Sequence, residues 1–308
     1  MLDHEMKDGE IPFADNIKVF VKPEPHKVAK LEEGRLRLIS GVSMVDTMVD
    51  RILFGWMAHR AMSTVGRTPC RVGWTPLNSG WRELRKRYLG KPILCLDKSA
   101  WDWTVQPWLI DVLFLFVNEL AESPGHWWRC AVANRFNSLF VSARYEFSDG
   151  TIVLQEGKGI MKSGCYLTLL LNSVSQVALH VAAMLRLGED PTLNVPQAMG
   201  DDTIQVSPTN LDKYVKEVEA LGCKVKGAKI RDDIEFAGFR MSESRVIPAY
   251  HAKHLFKLVY QGQLTEYLRA MQLMYAYSPV MYGFFKRLAI KHKPEAVLPL
   301  YRAMDIWG

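Results

Sequence analysis

Three carboxylates stand at the ends of short apolar runs. Asp97 closes Ile93-Leu94-Cys95-Leu96, and Asp201-Asp202 follow Gly200 between Val195-Pro196-Gln197-Ala198-Met199 and Thr203-Ile204-Gln205-Val206-Ser207. Burying carboxylates at strand ends is costly unless cations compensate, so three of them on two strands point to a divalent ion. Mg²⁺ takes oxygen ligands and keeps part of its shell for substrate phosphates. Two such ions lower the pKa of an attacking hydroxyl and stabilise the leaving oxygen of an in-line phosphoryl displacement. An Asp-Asp pair in a hairpin is also ordinary turn chemistry, and taken alone that is the commoner meaning.

Whether the carboxylates meet depends on the elements that carry them. Residues 92–97 read as a buried strand and residues 195–207 as a tight hairpin centred on Gly200-Asp201. Pro107 to Ala121, Trp127 to Phe136 and Gly164 to Leu187 have helical spacing. Between the last two, residues 139–147 and 151–156 alternate about Ser148-Asp149-Gly150, a hairpin signal. Leu211 to Leu221 is a helix opened by Ser207-Pro208-Thr209-Asn210, and residues 223–227 and 235–241 read as strands. With the first hairpin set aside, residues 92–227 run strand, helix, two-stranded hairpin, helix, strand. This split β-α-β-β-α-β pattern builds an antiparallel sheet that places Asp97 next to Asp201. Upstream, residues 17–22 alternate as a strand and lead into a basic loop, Val42 to Met62 is helical, and residues 63–80 form a loop. The chain is mostly helical from His251 onward. The fold class is therefore α+β.

Composition narrows the partners only when divided along the chain. The 308 residues are 48% hydrophobic and 23% charged, which suits a folded protein, and the net charge of +6 decides nothing. By segment, residues 17–91 carry 15 Lys/Arg against 6 Asp/Glu, residues 251–308 carry 8 against 3, and residues 92–250 carry 15 against 19. Two basic flanks around an acidic centre suit lobes that grip a polyanion around a cation site. Five cysteines without a CxxC pair suggest neither a disulfide framework nor structural zinc, and a reducing compartment fits. The most apolar window, Tyr166 to Leu185, contains Asn172, Ser173, Ser175, Gln176 and His180, too polar for a comfortable membrane span. The chain is read as soluble, with no membrane span.

Three ordered motifs resemble the palm of RNA-dependent RNA polymerases of positive-strand RNA viruses. They are Asp97-Lys98-Ser99-Ala100-Trp101-Asp102 (motif A), Ser163-Gly164-Cys165-Tyr166-Leu167-Thr168 continuing to Asn172 (motif B) and Gly200-Asp201-Asp202 (motif C). The sequence DKSAWDW looks closest to the sobemovirus and polerovirus side of the family. The resemblance implies a right-hand fold of fingers, palm and thumb. Residues 1–91 would be part of the fingers, 92–137 and 163–243 the palm, 138–162 a fingers hairpin insertion, and 244–308 a helical thumb. It implies RNA-directed RNA synthesis with two Mg²⁺, for which Mn²⁺ can substitute, held by Asp97, Asp201 and Asp202. Asp102, Ser163, Gly164, Thr168 and Asn172 correspond to the residues that recognise the ribose 2′-OH, the group that separates RNA from DNA.

The same resemblance extends to the flanks. Lys22-Pro23-Glu24, Lys27, Arg35 and Arg37 match the basic motif F that neutralises triphosphate and template, with Arg37 as the key arginine. Of Lys224, Lys226 and Lys229, Lys226 is the favoured proton donor to pyrophosphate. Residues 235–239 resemble motif E. The implied partners are template and product RNA, nucleoside triphosphates and other viral replication proteins, in host cytoplasm at replication complexes. Family members commonly carry more chain ahead of motif F, so the sequence is expected to be a fragment, or else an unusually compact enzyme. A reverse transcriptase is disfavoured by Asp102 and Asn172. A non-catalytic RNA-binding palm is disfavoured by carboxylates that pure RNA binding would not need.

Overall fold

The computed structural model describes residues 14–26, 28–231, 233–260 and 262–308. Its elements fall into two compact units, residues 1–73 with 96–228 and residues 74–95 with 229–308.

In the first unit, β1 (Ile17–Val21) leads through a short helix α1 (Val28–Glu32) to β2 (Leu38–Gly41). Long helix α2 (Met44–Ser63) follows, capped by the Ser43 hydroxyl on the Asp46 amide. The α3 helix (Gly80–Tyr88) and the start of β3 (Ile93–Lys98) belong to the second unit; the end of β3 returns to the first. A single turn α4 (Trp101–Thr104), α5 (Pro107–Leu120) and α6 (His126–Phe140) precede the hairpin β4 (Arg144–Glu146) and β5 (Ile152–Leu154). Strand β1 pairs antiparallel with β2 and parallel with β4, so residues far apart in sequence share one sheet, in the order β2-β1-β4-β5.

Helix α7 (Thr168–Leu187) leads to the hairpin β6 (Gln197–Met199) and β7 (Asp202–Val206), then α8 (Leu211–Ala220) and β8 (Val225–Arg231). The sheet order is β6-β7-β3-β8, the order the split β-α-β-β-α-β pattern demands. Among the described residues α7 alone is long and apolar enough to cross a membrane. Yet 56% of that window is buried inside the protein, and Asn172, Ser173, Gln176 and His180 lie on its buried surface. It is the core helix of the unit: His180 contacts the Tyr214 hydroxyl of α8 through Nδ1 at 3.1 Å and the Leu193 carbonyl through Nε2 at 2.9 Å.

The second unit holds a three-stranded meander of β9 (Ile234–Phe236), β10 (Phe239–Met241) and β11 (Val246–Pro248), followed by α9 (His251–Tyr260), α10 (Leu264–Met274), α11 (Pro279–His292) and α12 (Leu300–Trp307). Leu268, Met271, Tyr275, Phe285 and Ala289 form its helical core. The tyrosines at 267 and 275 pack against Phe285, so they serve this core.

Several expectations change. Residues 80–88 form a helix that their many charges hide; only Trp81, Leu84 and Tyr88, spaced at three and four, mark its buried face. Part of the basic loop is helical. Helix α6 runs on through Phe140 and shortens the first hairpin arm to residues 144–146. Residues 235–241 fold back on themselves, because Ala237 and Gly238 take φ of 49° and 79° and make a tight turn between β9 and β10. Helix α7 starts at Thr168, leaving Gly164 in a loop.

That loop rests on a buried ion cluster. Arg135 donates to both Asp50 oxygens, at 2.6 and 3.0 Å, and approaches Asp46 at 3.3 Å, joining α6 to α2. The Cys165 thiol lies 3.8 Å from the same Asp50 carboxylate. Replacing Arg135 by Leu strands two buried carboxylates and is expected to cost about 3–5 kcal/mol. Urea denaturation of the variant should reveal this loss, and removing Asp50 and Arg135 together for apolar residues should cost less than Arg135→Leu alone.

Candidate active site

The antiparallel sheet brings the end of β3 beside the β6–β7 turn. Asp97 lies at the C-terminal end of β3, and just past it the Ser99 amide donates to the carbonyl of Lys224, the residue before β8, at 2.8 Å. Gly200 and Asp201 form a two-residue loop, with Met199 paired to Asp202 across it; Gly200 adopts φ of 69°, which favours glycine. Asp97, Asp201 and Asp202 are all exposed.

Lys98 lies in the field of these carboxylates. Burial pushes its ammonium down to about 8, against the pull of Cys223, Asp201, Asp97 and Asp202. One cation thus feels all three acids. Asp97 also holds Lys226 of β8, Oδ2 to Nζ at 3.0 Å. Oxygen-only donors at strand ends, sharing the field of one lysine, fit a hard divalent cation. The carboxylates do not close on one point, however. Among the described residues no three His, Cys, Asp or Glu side chains converge tightly enough to hold an ion by themselves.

Asp102 lies five residues past Asp97, on α4. Burial raises its pKa, the Asn172 hydrogen bond lowers it, Asp201 raises it and Arg37 lowers it. Asn172 donates Nδ2–H to Asp102 Oδ1 at 3.1 Å, and its own Oδ1 accepts from the Trp101 indole at 2.8 Å. The next residue on α7, Ser173, accepts the Gly200 amide at 2.8 Å and donates to the Leu169 carbonyl at 2.7 Å. Helix α7 therefore fixes motif A with one side chain and motif C with the next.

Other residues expected at the site have partners within the chain. The Thr168 hydroxyl bonds to the Lys162 and Cys165 carbonyls, so it ties down the loop before α7. The Ser163 hydroxyl accepts the Ser40 amide at 3.0 Å, and the Gly164 amide donates to the Ser40 carbonyl at 3.0 Å, docking the loop on β2. A Cβ on Gly164 would stand 2.5 Å from that carbonyl, which is why glycine is required there. In the basic loop, Lys22 and Arg37 flank Glu24 at 3.2 and 3.4 Å. Burial raises the Glu24 pKa, but Lys22 and Arg37 outweigh it and hold the carboxyl low. Arg35 pairs with Glu33. Lys27 lies outside the described residues.

Sequence reasoning missed Lys98, Trp101, Lys162 and Ser173 as working parts. Trp101 and Lys98 lie inside the motif A stretch, which was a usable signal; Ser173 and Lys162 carry none. Nor does a large concavity mark the chemistry. A cavity of about 1160 Å³ behind α7 is lined by Trp56, Phe116, Trp128, Leu170 and Val174, with none of Asp97, Asp102, Asp201 or Asp202.

This architecture defines the class first: an α+β right-hand polymerase fold. Sicinivirus 3Dpol RNA dependent RNA polymerase has it too, with a TM-score of 0.78 over 96% of this chain and 67% of that one, at 16% identity. The chain belongs to the viral RNA-dependent RNA polymerase family, whose model matches residues 14–291. It is 33% identical over 263 residues to the replicase polyprotein of Southern bean mosaic virus, covering 81% of this chain and 26% of that protein. It is 31% identical over 276 residues to protein P1-P2 of Turnip yellows virus, covering 80% and 24%. These are sobemovirus and polerovirus relatives, the side of the family that motif A suggested. The chain spans about a quarter of the length of either.

Two predictions concern the supports of the site. Ser173→Ala removes the acceptor for the Gly200 amide and should lower unfolding free energy by about 1–3 kcal/mol in chemical denaturation. Lys162 is buried, donates to Gln155 Oε1 at 2.6 Å and to the Ile160 carbonyl at 2.7 Å, and burial pushes it down to about 7. Between pH ~7 and ~10.4 the unfolded chain holds a proton the native state lacks, so stability rises with pH by up to about 1.4 kcal/mol per unit. Denaturation midpoints from pH 7 to 10 should show this slope in the wild type and its loss in Lys162→Met.

Proposed function

We propose that the chain performs template-directed RNA synthesis for viral genome replication and transcription. The observation that carries this reading is the hydrogen-bonded pair of Asp102 and Asn172 within the electrostatic reach of Asp201. A polymerase choosing ribonucleotides needs polar groups for the 2′-OH next to its acidic centre, and this pair supplies both an acceptor and a donor. Family membership and the replicase relatives support the same conclusion.

The family uses divalent metals. In this reading Asp97 and Asp201 hold two Mg²⁺ with help from Asp202. The ions, when bound, supply Lewis-acid stabilisation to the attacking 3′-hydroxyl and the departing pyrophosphate. The chain's own groups do the rest. Asp102 and Asn172 orient the ribose. Arg37 and Lys22, at the two ends of the basic loop, neutralise triphosphate and exchange Glu24 for it. Lys226 holds Asp97 before substrate arrives and is placed to give a proton to pyrophosphate once released. Residues 1–91 and 138–162 act as fingers, 92–137 and 163–243 as palm, and 244–308 as thumb, with the two basic segments gripping RNA. Template and product RNA, nucleoside triphosphates and other viral replication proteins are the partners, and replication complexes in host cytoplasm the location.

Asp201→Asn should lower nucleotide incorporation on a primed RNA template by roughly 10²–10³-fold or more, with little change in melting temperature because Asp201 is exposed. Full activity in this variant would sink the metal assignment.

A further inference from the structure

Asn172 poses a problem of orientation. Its amide carries an acceptor at one end and a donor at the other, and nothing in the backbone decides which end faces Asp102. A carboxylate needs a donor there. If the amide turned over, Oδ1 would face Asp102 and the two oxygens would repel. Asn172 is 4% exposed, so water has little access to correct the mismatch.

Trp101 resolves this. Its indole nitrogen has a hydrogen to give and no lone pair to receive one, so it accepts only the oxygen end of the amide as partner. The bond is 2.8 Å long, and Trp101 is 3% exposed. With Oδ1 held by the indole, the NH₂ group points at Asp102 Oδ1, 3.1 Å away. Trp101 and Asp102 are neighbours in the single turn α4, so one short element presents both the orienting donor and the carboxylate. The backbone of the same turn is tied to the loop before α7 by the Met161 amide on the Asp102 carbonyl at 2.7 Å.

We propose that Trp101 is a positioning residue for ribose selection, acting through its N–H to fix the rotamer of the Asn172 amide. This rests on the polymerase reading and on the assignment of Asp102 and Asn172 to the 2′-OH. Trp101 touches no substrate. Without its N–H the amide loses its preferred orientation, the ribonucleotide loses a partner for its 2′-OH, and the deoxyribonucleotide, which has no such group, is unaffected.

The test measures kcat/KM for a ribonucleotide and its 2′-deoxy counterpart on the full chain, in the wild type, Trp101→Phe, Asn172→Ala and the double variant. Trp103→Phe is the control, since Trp103 is exposed. The expected result is a roughly tenfold loss of ribose preference in Trp101→Phe, arising from the ribonucleotide value, with no further loss when Asn172 is already Ala. Because Phe also changes ring size, a second protein carries the benzothiophene analogue of tryptophan at position 101, which keeps the shape and lacks only the N–H. It should reproduce the loss at an unchanged melting temperature. Preference intact in the analogue, or equal losses for both nucleotides, overturns the proposal while leaving the polymerase reading standing. A wild type that incorporates neither nucleotide overturns both.

Discussion

Two consecutive side chains on one helix set the geometry of the site. Asn172 and Ser173 are about 100° apart around α7, so they face different neighbours. Asn172 reaches the α4 turn just past β3, and Ser173 reaches the β6–β7 loop. β3 and β7 are adjacent strands in the sheet, and neighbouring strands lie only about 4.8 Å apart. A single turn of helix therefore spans both acidic elements. Neither bond is strong alone. Each satisfies a polar group that has few alternatives, the Gly200 amide in one case and a largely buried carboxylate in the other, so misplacement is penalised more than correct placement is favoured.

The start of α7 is fixed by a different means. Two segments distant in sequence meet the loop of residues 162–168, the Ser40 backbone and the Asp50 carboxylate, and the Thr168 hydroxyl ties the loop to itself. Arg135 is what makes the Asp50 contact tolerable, because an unpaired carboxylate at 0% exposure would be neutralised or expelled. Lys162 adds a buried amine, its Nζ held over the Phe140 and Tyr145 rings at 5.7 and 5.3 Å. The loop that precedes α7 is thus framed by polar groups with defined directions. Apolar packing alone would hold its place but not its register.

What could be read from the sequence follows the range of the forces involved. The palm strands, the helices at 107–120 and 211–220 and the Gly200-Asp201 turn are local patterns, and their order fixes the sheet topology. Asp97 and Asp201 could be put side by side because that topology leaves no other choice. Helix 80–88 escaped because its face of Trp81, Leu84 and Tyr88 is narrow among four basic residues. Thr168 and Ser163 have the side chains for ribose contact, and their hydroxyls also hold the loop through backbone carbonyls and an amide. Motif spacing cannot reveal which partner a hydroxyl takes. Ser173 and Lys162 matter only through residues about 27 and 7 positions away, and no sequence period encodes such contacts.

The charges along the chain take on a more specific meaning once the side chains are located. An acidic centre without counter-charge would repel the nucleotide it must admit and raise the pKa of its own carboxylates. Here Lys226 engages Asp97, Lys98 sits within the field of all three acids, and Arg37 tempers Asp102 from the basic loop. The acidic middle and the basic flank are therefore not separate surfaces. Arg37 is itself shared between Glu24 and the field at Asp102, and its pair with Glu24 is a weak, exposed one rather than a buried one. Buried pairs such as Arg135–Asp50 hold the frame, and exposed pairs such as Arg37–Glu24 and Lys226–Asp97 sit where groups must let go. The difference in burial between the two sets separates a fixed frame from side chains that can exchange partners.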